Sequence, residues 1–396
     1  MEIKSNFFKV ESSGRINLIG EHTDHQFGFV LPVAINAKIT LYGSKRHDNT
    51  ILAYSDTYNE KFSILIDELE NFKSIPGNWS NFVVGIFKWF NNIYTVKSGC
   101  NIIITSNLPQ GAGLSSSAAL EIGLTILLEN IYVVKLENIQ RVKLCWDVEN
   151  TFIGVKCGIM DQFIVNFGLE HTALKINCTD LTFETVKLPL NMRLLVIDTN
   201  IKHSLIDTPY NIRIEECEIA LKKIISLGFN ITNLSELTLP DFQKISENLE
   251  NPYSSRVKHV ITENTRVNTF FNILQNKHNL EEHVMFEKLG KLLYESHASL
   301  QNDFKASWDR ADNIVEFCKS QSDIYGARMV GGGWGGSVLV LVDDFALKGV
   351  IKKLEQWFME FFQEKTSILQ YEIANGIESE KILFNEIPNR FEKYFS

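Results

Sequence analysis

A glycine- and serine-rich segment between two regular elements constrains the fold of this chain more than any other feature. Residues 108–119 read LPQGAGLSSSAA. The β-branched run 101–106 before them predicts a strand, and the apolar residues from Leu120 to Ile131 recur at helical spacing behind them. Glycine lets the backbone approach a ligand closely, and the free N–H groups at a helix start attract an anion. The segment therefore predicts a phosphate cradle where a strand passes into a helix.

Two common phosphate-binding motifs do not fit this loop. No lysine follows the glycines, as a Walker A loop requires, and Ser116 occupies the place of the third glycine of a dinucleotide-binding fingerprint. A simple helix N-cap is an alternative, since serine is a favoured cap and glycine a favoured turn residue. Three consecutive serines after two glycines exceed what a cap needs, which favours a phosphate site of another kind.

A second polar cluster lies near the start of the chain, where residues 14–24 read GRINLIGEHTD. Glu21, His22 and Asp24 offer several hydrogen-bonding groups within four positions, which suits a polyhydroxylated ligand whose hydroxyls need partners once water is expelled. One alternative is a solvated polar turn. Another is a zinc site through His22 and His25, but neither an HExxH pattern nor a cysteine partner supports it.

Two carboxylates occupy positions where apolar residues are expected. Glu149 falls on the apolar face of a predicted helix at 136–152, and Asp161 lies within the apolar run CGIMDQFIV at 157–165. A buried carboxylate needs a cation or several donors, because burying a bare charge is too costly. The residues alone leave two alternatives open: an ion pair of Glu149 with Lys143 or Lys156, and a helix N-cap at Asp161.

The length of 396 residues exceeds one ordinary core and suits two lobes with a cleft between them. Strand-like and helical patterns alternate in the first half, and a fresh strand-like run begins at Met192 after a polar stretch that contains proline. We therefore place the domain boundary there, giving domains 1–190 and 191–396. Other predicted elements are helices at 82–94, 116–132, 210–227, 286–299 and 311–320, and strands at 35–41, 192–198 and 338–342.

Charge and cysteine usage exclude several classes of protein. The 39 basic and 48 acidic residues give a net charge of -9, and no Lys/Arg stripe suits a nucleic-acid partner. The six cysteines are widely spaced without a CxxC pair, as expected of buried thiols in a reducing compartment. The first nine residues contain no apolar leader, and no uncharged apolar stretch approaches the length of a membrane span. We expect a soluble, cytoplasmic monomer with no membrane partner.

Several motifs resemble one known family. The loop LPQGAGLSSSAA is similar to the ATP-phosphate loop of the GHMP kinases, and GRINLIGEHTD with GFVLP at 28–32 resembles the signature of the galactokinases within that family. CGIMDQF is similar to the block that carries their catalytic aspartate. Further similar blocks lie at 200–205, 210–217, 259–266 and 329–337. His25, Gln26, Ile214 and Trp334, and the string Ser307-Trp308-Asp309, depart from the family pattern, which indicates a divergent member.

The resemblance implies an α+β fold of two lobes, with a ribosomal-protein-S5-like N-terminal lobe, a ferredoxin-like C-terminal lobe and the active site in the cleft. It implies ATP as co-substrate and Mg²⁺ as cofactor. The residues it implies are Asp161 and Arg15 for catalysis; Glu21, His22, Asp24, Gly158 and Tyr210 for the sugar; Ser55, Gly111, Ala112, Gly113, Leu114, Ser115, Ser116 and Ser117 for ATP; and Ser117 with Glu149 for the metal.

The activity that the resemblance implies is transfer of the γ-phosphoryl of ATP to the C1 hydroxyl of α-D-galactose, the entry step of galactose catabolism. A nearby Arg15 would weaken Asp161 as a base, so we expect Asp161 to act largely by orientation and charge. One alternative is a sister kinase for N-acetylgalactosamine, arabinose or another sugar. Another is a non-catalytic sugar sensor, but such sensors have a shortened serine loop, and residues 115–119 are intact here.

Overall fold

The computed structural model describes residues 6–109, 111–201 and 209–395. A six-stranded sheet organises the first lobe, and its neighbouring strands are antiparallel except for one parallel pair, residues 50–55 with 100–106. In spatial order its strands are β13 (Ile377–Ile382), β1 (Phe7–Asn17), β3 (Pro32–Lys45), β6 (Cys100–Ser106), β4 (Thr50–Ser55) and β5 (Glu60–Leu65). A smaller sheet is formed by β2 (Phe29–Val30), β7 (Thr172–Asn177) and β8 (Thr182–Lys187).

Four helices accompany these sheets: α1 (Ser80–Tyr94), α2 (Ser116–Tyr132), α3 (Asn138–Asp147) and α4 (Met160–Phe167). The helix α2 packs against β1 and β3 and also against α1, α3 and α4. Its side chains are therefore buried on almost every side, as expected of a helix that is apolar around its circumference. The glycine- and serine-rich loop thus leads into one of the most firmly packed elements of the lobe.

The predicted helix at 136–152 is α-helical only as far as Asp147. Residues Val148–Ile153 continue as a wider π-helical turn, and the backbone N–H groups of Gly154 and Val155 both donate to the carbonyl of Glu149, each at 3.0 Å. Such π turns occur often at functional sites. The prediction of a continuous α-helix is corrected here, and Glu149 lies within the altered turn.

The second lobe contains a four-stranded sheet and six α-helices among the described residues. The strands, in spatial order, are β10 (Gly326–Val330), β11 (Ser337–Asp343), β9 (Met192–Asp198) and β12 (Ile368–Gln370). The helices are α5 (Tyr210–Ser226), α6 (Leu239–Ile245), α7 (Tyr253–Gln275), α8 (Glu282–Ser299), α9 (Asp309–Lys319) and α10 (Leu347–Phe362). Leu339 and Leu341 join the core of the first lobe, whereas Val338 and Val340 join that of the second. The sheet therefore connects the two cores.

The two-lobed α+β fold predicted from the sequence is confirmed by this architecture. The predicted boundary between residues 190 and 191 falls just before β9 and stays a prediction. The chain returns to the first lobe at its end, because β13 pairs with β1 along the edge of the six-stranded sheet. Of the block at 200–205, residues 202–205 lie outside the described residues. Within the described parts of the chain, no helix has the length and apolarity needed to cross a membrane.

Candidate functional site

The glycine- and serine-rich loop curls through three left-handed backbone positions before α2. Gly111 and Gly113 have φ values of 73° and 70°, which glycine adopts without a steric cost. Ser115 also has a positive φ, of 60°, and precedes the first residue of α2. Its side chain makes no capping hydrogen bond to the helix. A simple capping role therefore does not account for Ser115.

The loop lies against the second glycine-rich turn, at 331–336, which belongs to the other lobe. The hydroxyl of Ser337 donates to the carbonyl of Ala112 at 3.0 Å. A Cβ atom placed on Gly331 would lie 3.4 Å from the Cα of Gly113. The glycines at 331–336 thus allow the two backbones to approach closely, and the loop is held from both lobes.

Arg15 and Asp161 form a two-point ion pair at the base of this loop. The Nε of Arg15 donates to Oδ1 of Asp161 at 2.8 Å, and Nη2 donates to Oδ2 at 2.9 Å. The third donor, Nη1, binds the carbonyl of Gly113, and the Ser115 hydroxyl donates to Oδ2 of Asp161. Burial opposes the charge of Arg15, but the carboxylates of Asp161 and Glu21 raise its pKa and keep it cationic. Asp161 lies in the first turn of α4, after the N-cap residue Ile159.

Glu149 is buried beside this pair and is bound by an amide instead of a lysine. Its Oε2 accepts from Nε2 of Gln162 at 2.6 Å and from the Cys157 thiol at 3.3 Å. Gln162 also donates to the fully buried Glu121 at 3.1 Å. Burial raises the pKa of Glu149, and the Ser117 hydroxyl acts against that shift. No ion pair joins Glu149 to a lysine among the described residues, so the predicted salt-bridge alternative is not supported.

The oxygens of Ser117 and Glu149 fit a magnesium ion. Both residues line one cavity of about 80 Å³ together with Arg15 and Asp161. Within the described residues no group of three His, Cys, Asp or Glu side chains forms a metal cage. Mg²⁺ prefers one or two protein oxygens and completes its shell with phosphate oxygens and water. Two oxygen donors at the edge of the glycine- and serine-rich loop match that preference.

Glu21 links the first polar cluster to the second lobe. Its Oε1 accepts from the backbone N–H of Gly331 at 2.9 Å and from both terminal nitrogens of Arg328 at 3.2 Å. Its backbone carbonyl is bonded to the ring of His259 at 3.0 Å. The bonds that the Glu21 side chain makes to described residues all fall on Oε1, which leaves Oε2 as the acceptor that a ligand would meet.

His22 is held in a left-handed conformation, with a φ of 60°. Its ring stacks on Phe304 at 4.5 Å between centroids and lies 5.5 Å from that of Tyr210. Burial and the neighbouring His25 lower its pKa well below the usual value, so the ring is neutral. By its geometry the buried Nε2 has no hydrogen-bond partner among the described residues, although the backbone of Gly332 acts against the lowering of the pKa of this ring. The other nitrogen lies 3.4 Å from His25, and no metal cage supports the zinc alternative within the described chain.

Asp24 and Gly158 lie in direct contact. A Cβ atom on Gly158 would be 2.0 Å from Oδ2 of Asp24, so only glycine fits beside this carboxylate as it stands. Burial and the charges of Asp161 and Glu21 raise the pKa of Asp24 to about 7, against the opposing effects of the His25 N–H and Arg15. Near neutral pH, the neutral and ionised forms of Asp24 are therefore both populated.

The predicted catalytic and sugar-binding residues converge on one cavity. Tyr210, the first residue of α5, is buried and completes the lining. The 80 Å³ cavity is lined by all seven: Arg15, Glu21, His22, Asp24, Gly158, Asp161 and Tyr210. A larger cavity of about 640 Å³ adjoins it through Asp24, Cys157 and Gly158.

Ser55 lies apart from that cluster, in a largely apolar cavity of about 140 Å³ on the other side of the loop. Thr57, Tyr58, Trp79 and Phe82 contribute to its walls, and Ser116 and Ser117 lie at its loop end. The sequence does not single out Tyr58, Trp79 or Phe82 as site residues. The available signal was two aromatic residues, Trp79 just before the predicted helix at 82–94 and Phe82 at its first position. Such a pair is equally typical of a hydrophobic core.

Arg328 is a further residue of the site that the sequence does not single out. It is fully buried in β10, and its Nε donates to the carbonyl of Leu18 at 2.8 Å. The guanidinium thus binds both Glu21 and the backbone that precedes it. A charged residue inside an apolar strand next to a glycine-rich turn was the available signal.

Comparison with protein families gives three matches along the chain. The galactokinase galactose-binding signature matches residues 4–45, the GHMP kinase N-terminal domain matches 81–169 and the GHMP kinase C-terminal domain matches 284–358. The galactokinase of Fusobacterium nucleatum is 35% identical over 369 residues, covering 92% of each chain. That of Thermotoga maritima is 36% identical over 363 residues, covering 91% of this chain and 95% of its own.

Solved structures agree with these matches. The crystal structure of Lactococcus lactis galactokinase complexed with galactose superposes with a TM-score of 0.88 at 30% identity, covering 95% of both chains. Methanococcus jannaschii mevalonate kinase gives a TM-score of 0.63 at 18% identity, covering 93% of this chain and 98% of its own, which shows a shared fold alone. The extent and identity of the matches show that the chain belongs to the galactokinases, within the GHMP kinase family.

Proposed function

We propose that the protein transfers the γ-phosphoryl group of ATP to the C1 hydroxyl of α-D-galactose, giving galactose 1-phosphate and ADP. The observation that carries this proposal is the position of the Arg15–Asp161 pair. Ser115 and Gly113 connect the pair to the phosphate loop, and the polar cluster for the sugar opens onto the same 80 Å³ cavity. The proposed phosphate site and the proposed sugar site therefore meet at the Arg15–Asp161 ion pair.

Phosphoryl transfer passes through a loose transition state, so positioning and charge neutralisation contribute most of the catalysis. Asp161 orients the C1 hydroxyl and accepts its proton as the bond to phosphorus forms. Arg15 stabilises the negative charge that develops on the transferring group. The backbone N–H groups of the loop and the start of α2 hold the phosphates of ATP.

Ser117 and Glu149 would hold Mg²⁺, for which their oxygens are suited. When bound, the ion neutralises charge on the phosphates. Gln162 fixes the Glu149 carboxylate through its 2.6 Å hydrogen bond and fixes itself on Glu121. These buried hydrogen bonds hold the Glu149 carboxylate at the cavity. Among the described residues no lysine forms an ion pair with Glu149 that would compete with the metal ion.

Asp24, His22 and Tyr210 supply the sugar contacts that we propose. Hydrogen bonds from sugar hydroxyls favour the ionised form of Asp24, which would lower its raised pKa when galactose binds. The unpartnered Nε2 of His22 is a further place for a hydroxyl. A site of this kind rejects an epimer because its own buried polar groups are then left unpaired.

The apolar 140 Å³ cavity suits the adenine base of ATP. It is lined by aromatic rings and opens beside Ser116 and Ser117, so a base there and phosphates at the loop would belong to one nucleotide. Ser55 closes the same cavity at the end of β4.

An ADP-release panel with galactose, N-acetylgalactosamine, arabinose, glucose, mevalonate and homoserine tests the proposed function. We expect galactose to give the highest kcat/KM, and an Asp161→Asn variant to show that the signal comes from this site. A preference for another sugar would assign the chain to a sister activity. Binding of galactose without turnover would make it a sensor, and absence of both would refute the proposal.

A further inference from the structure

The end of the chain forms a cover over the first sheet. After β13 the residues Phe384–Glu386 and Asn389–Tyr394 form short 3-10 turns. Ile387 and Phe391 are each only 1% exposed, and Tyr394 is 8% exposed. They form a separate apolar cluster with Tyr54, Ile103 and Ile382, and Phe7 and Tyr42 pack at its border. We refer to residues 384–395 as the tail.

The tail and the 140 Å³ cavity lie on opposite faces of the same two strands. Side chains alternate between faces along a strand. On β4, Tyr54 faces the tail and Ser55 lines the cavity. On β6, Ile103 joins the tail cluster and Ile104 lines the cavity. The register pairs Tyr54 with Ile103 and Ser55 with Ile104, as this division requires.

Direct contacts join the tail to the β4–β5 hairpin. The rings of Tyr54 and Tyr394 stack at 4.2 Å between centroids with an interplanar angle of 19°. Arg390 donates to the carboxylate of Asp56 at 2.9 Å, and the ammonium of Lys61 lies 4.8 Å from the centre of the Tyr394 ring. The segment between these contacts carries Thr57 and Tyr58, which line the cavity.

The hairpin needs such support because β5 is an edge strand. It pairs only with β4 in the described sheet, whereas β4 also pairs with β6, so the outer edge of β5 has no backbone partner there. An edge of this kind opens locally at a lower free energy than the centre of the sheet. If the hairpin frays, the wall formed by Ser55, Thr57 and Tyr58 must be ordered again each time a ligand enters the cavity.

We propose that the tail is a positioning element for nucleotide binding, which holds the β4–β5 hairpin so that the cavity wall is formed before ATP arrives. The inference rests on the proposed placement of the adenine base in this cavity. None of the described tail residues lines the 80 Å³ cavity that holds the sugar cluster and the Arg15–Asp161 pair. Loss of the tail contacts should therefore weaken ATP binding selectively.

A Tyr394→Ala variant tests this inference, and Tyr394→Leu retains an apolar side chain in case the alanine variant does not fold. We expect the KM for ATP and the calorimetric Kd for ADP to rise roughly three- to tenfold for Tyr394→Ala, the range equivalent to one stacked aromatic pair, with a smaller rise for leucine. The KM for galactose and kcat at saturating ATP should not change. The exposed tail residue Asn385, changed to alanine, is the matched control.

A Thr57→Trp variant separates this inference from the base placement on which it rests, because Thr57 lines the cavity and an indole there would take up part of its volume. If it raises the KM for ATP while neither Tyr394 variant does, the tail inference is wrong and the base placement stands. If it leaves the KM for ATP unchanged, both are wrong. Equal changes in the galactose and ATP constants of the Tyr394 variants would show a general structural role and overturn the inference.

Discussion

A single methyl group at Gly158 would test the proposed sugar site most directly. In a Gly158→Ala variant the new Cβ atom would lie 2.0 Å from Oδ2, 2.1 Å from Cγ and 2.7 Å from Cβ of Asp24. Ordinary van der Waals contact begins at 3.4 Å. The carboxylate must therefore retreat by about 1.4 Å, and because the Asp24 Cβ is also too close, side-chain rotation alone does not relieve the contact.

This displacement sets the expected magnitude. A misplacement of about 1 Å in a positioned group lowers the rate by about 10²-fold, equivalent to roughly 2.7 kcal/mol. We therefore expect kcat/KM for galactose to fall about 100-fold in Gly158→Ala. The three atoms nearest to the new Cβ all belong to Asp24, and none belongs to the loop at 111–117. The Kd for ADP, measured by calorimetry, should accordingly remain that of the wild type.

Gly349 in α10 provides the matched control, since a Cβ atom there meets nothing within 4 Å. Gly349→Ala should leave both substrates' constants unchanged and stabilise the protein by about 0.5–1 kcal/mol, because alanine suits a helix better than glycine. An unchanged kcat/KM for galactose in Gly158→Ala, with an unchanged Tm, would refute the reasoning: Asp24 would then not contact the sugar from its present position.

The remaining predictions concern the carboxylates. Asp161→Asn should reduce kcat by at least about 10²-fold while the Kd values for galactose and ADP change little, and single-turnover kinetics with calorimetry would check this. Glu149→Gln should raise the Mg²⁺ concentration needed for half-maximal rate, because an amide is a poorer ligand for a hard cation; an unchanged titration would leave Glu149 a purely structural role. The raised pKa of Asp24, about 7, means that the sugar-free site gains its charge as pH rises through neutrality. The KM for galactose should therefore fall between about pH 6 and pH 8, and Asp24→Asn should abolish that dependence. Because folded Asp24 retains a proton that the unfolded chain has lost, its contribution to the free energy of unfolding should decrease between about pH 4 and pH 7, which denaturant titrations of wild type and Asp24→Asn would compare. Burial raises the pKa of Glu121 well above its usual value, so Glu121→Gln should change the unfolding free energy by less than about 1 kcal/mol, whereas Glu121→Ala should cost about 2–4 kcal/mol in the same assay.

Local patterns predicted much of the fold. The helices α1, α2, α5 and α9 and the strand β9 lie within a few residues of their predicted bounds, because each has a long run of the appropriate period. The π turn at Val148–Ile153 was not predicted, since its sequence continues a helical pattern. The sequence of the tail contains no motif that indicates its position or its role. Its partner Tyr54 lies more than 300 positions earlier, and no local signal indicates such a pairing.

In the candidate site, too, short motifs could be predicted from the sequence, whereas contacts between residues far apart in the chain could not. The phosphate loop and the cluster at 14–24 are short motifs whose chemistry is visible in the sequence. The engagement of Glu21 with Arg328 and Gly331 joins positions more than 300 apart, and the cavity beside Trp79 and Phe82 depends on how α1 packs. Such contacts between distant positions follow from tertiary packing, which periodicity and composition do not encode.

The bonds around Asp161 bear on how it can act in catalysis. An ionised carboxylate offers about four lone-pair positions. Arg15 and Ser115 occupy three of them, one on Oδ1 and two on Oδ2. About one position, on Oδ1, is then available to the C1 hydroxyl. Any carboxylate is a weak base towards an unreacted alcohol, but it becomes adequate once bonding to phosphorus has made that hydroxyl acidic. If Asp161 has the catalytic role that we propose, this geometry favours late proton transfer, with orientation of the hydroxyl as its earlier role, and a loose transition state requires no stronger base.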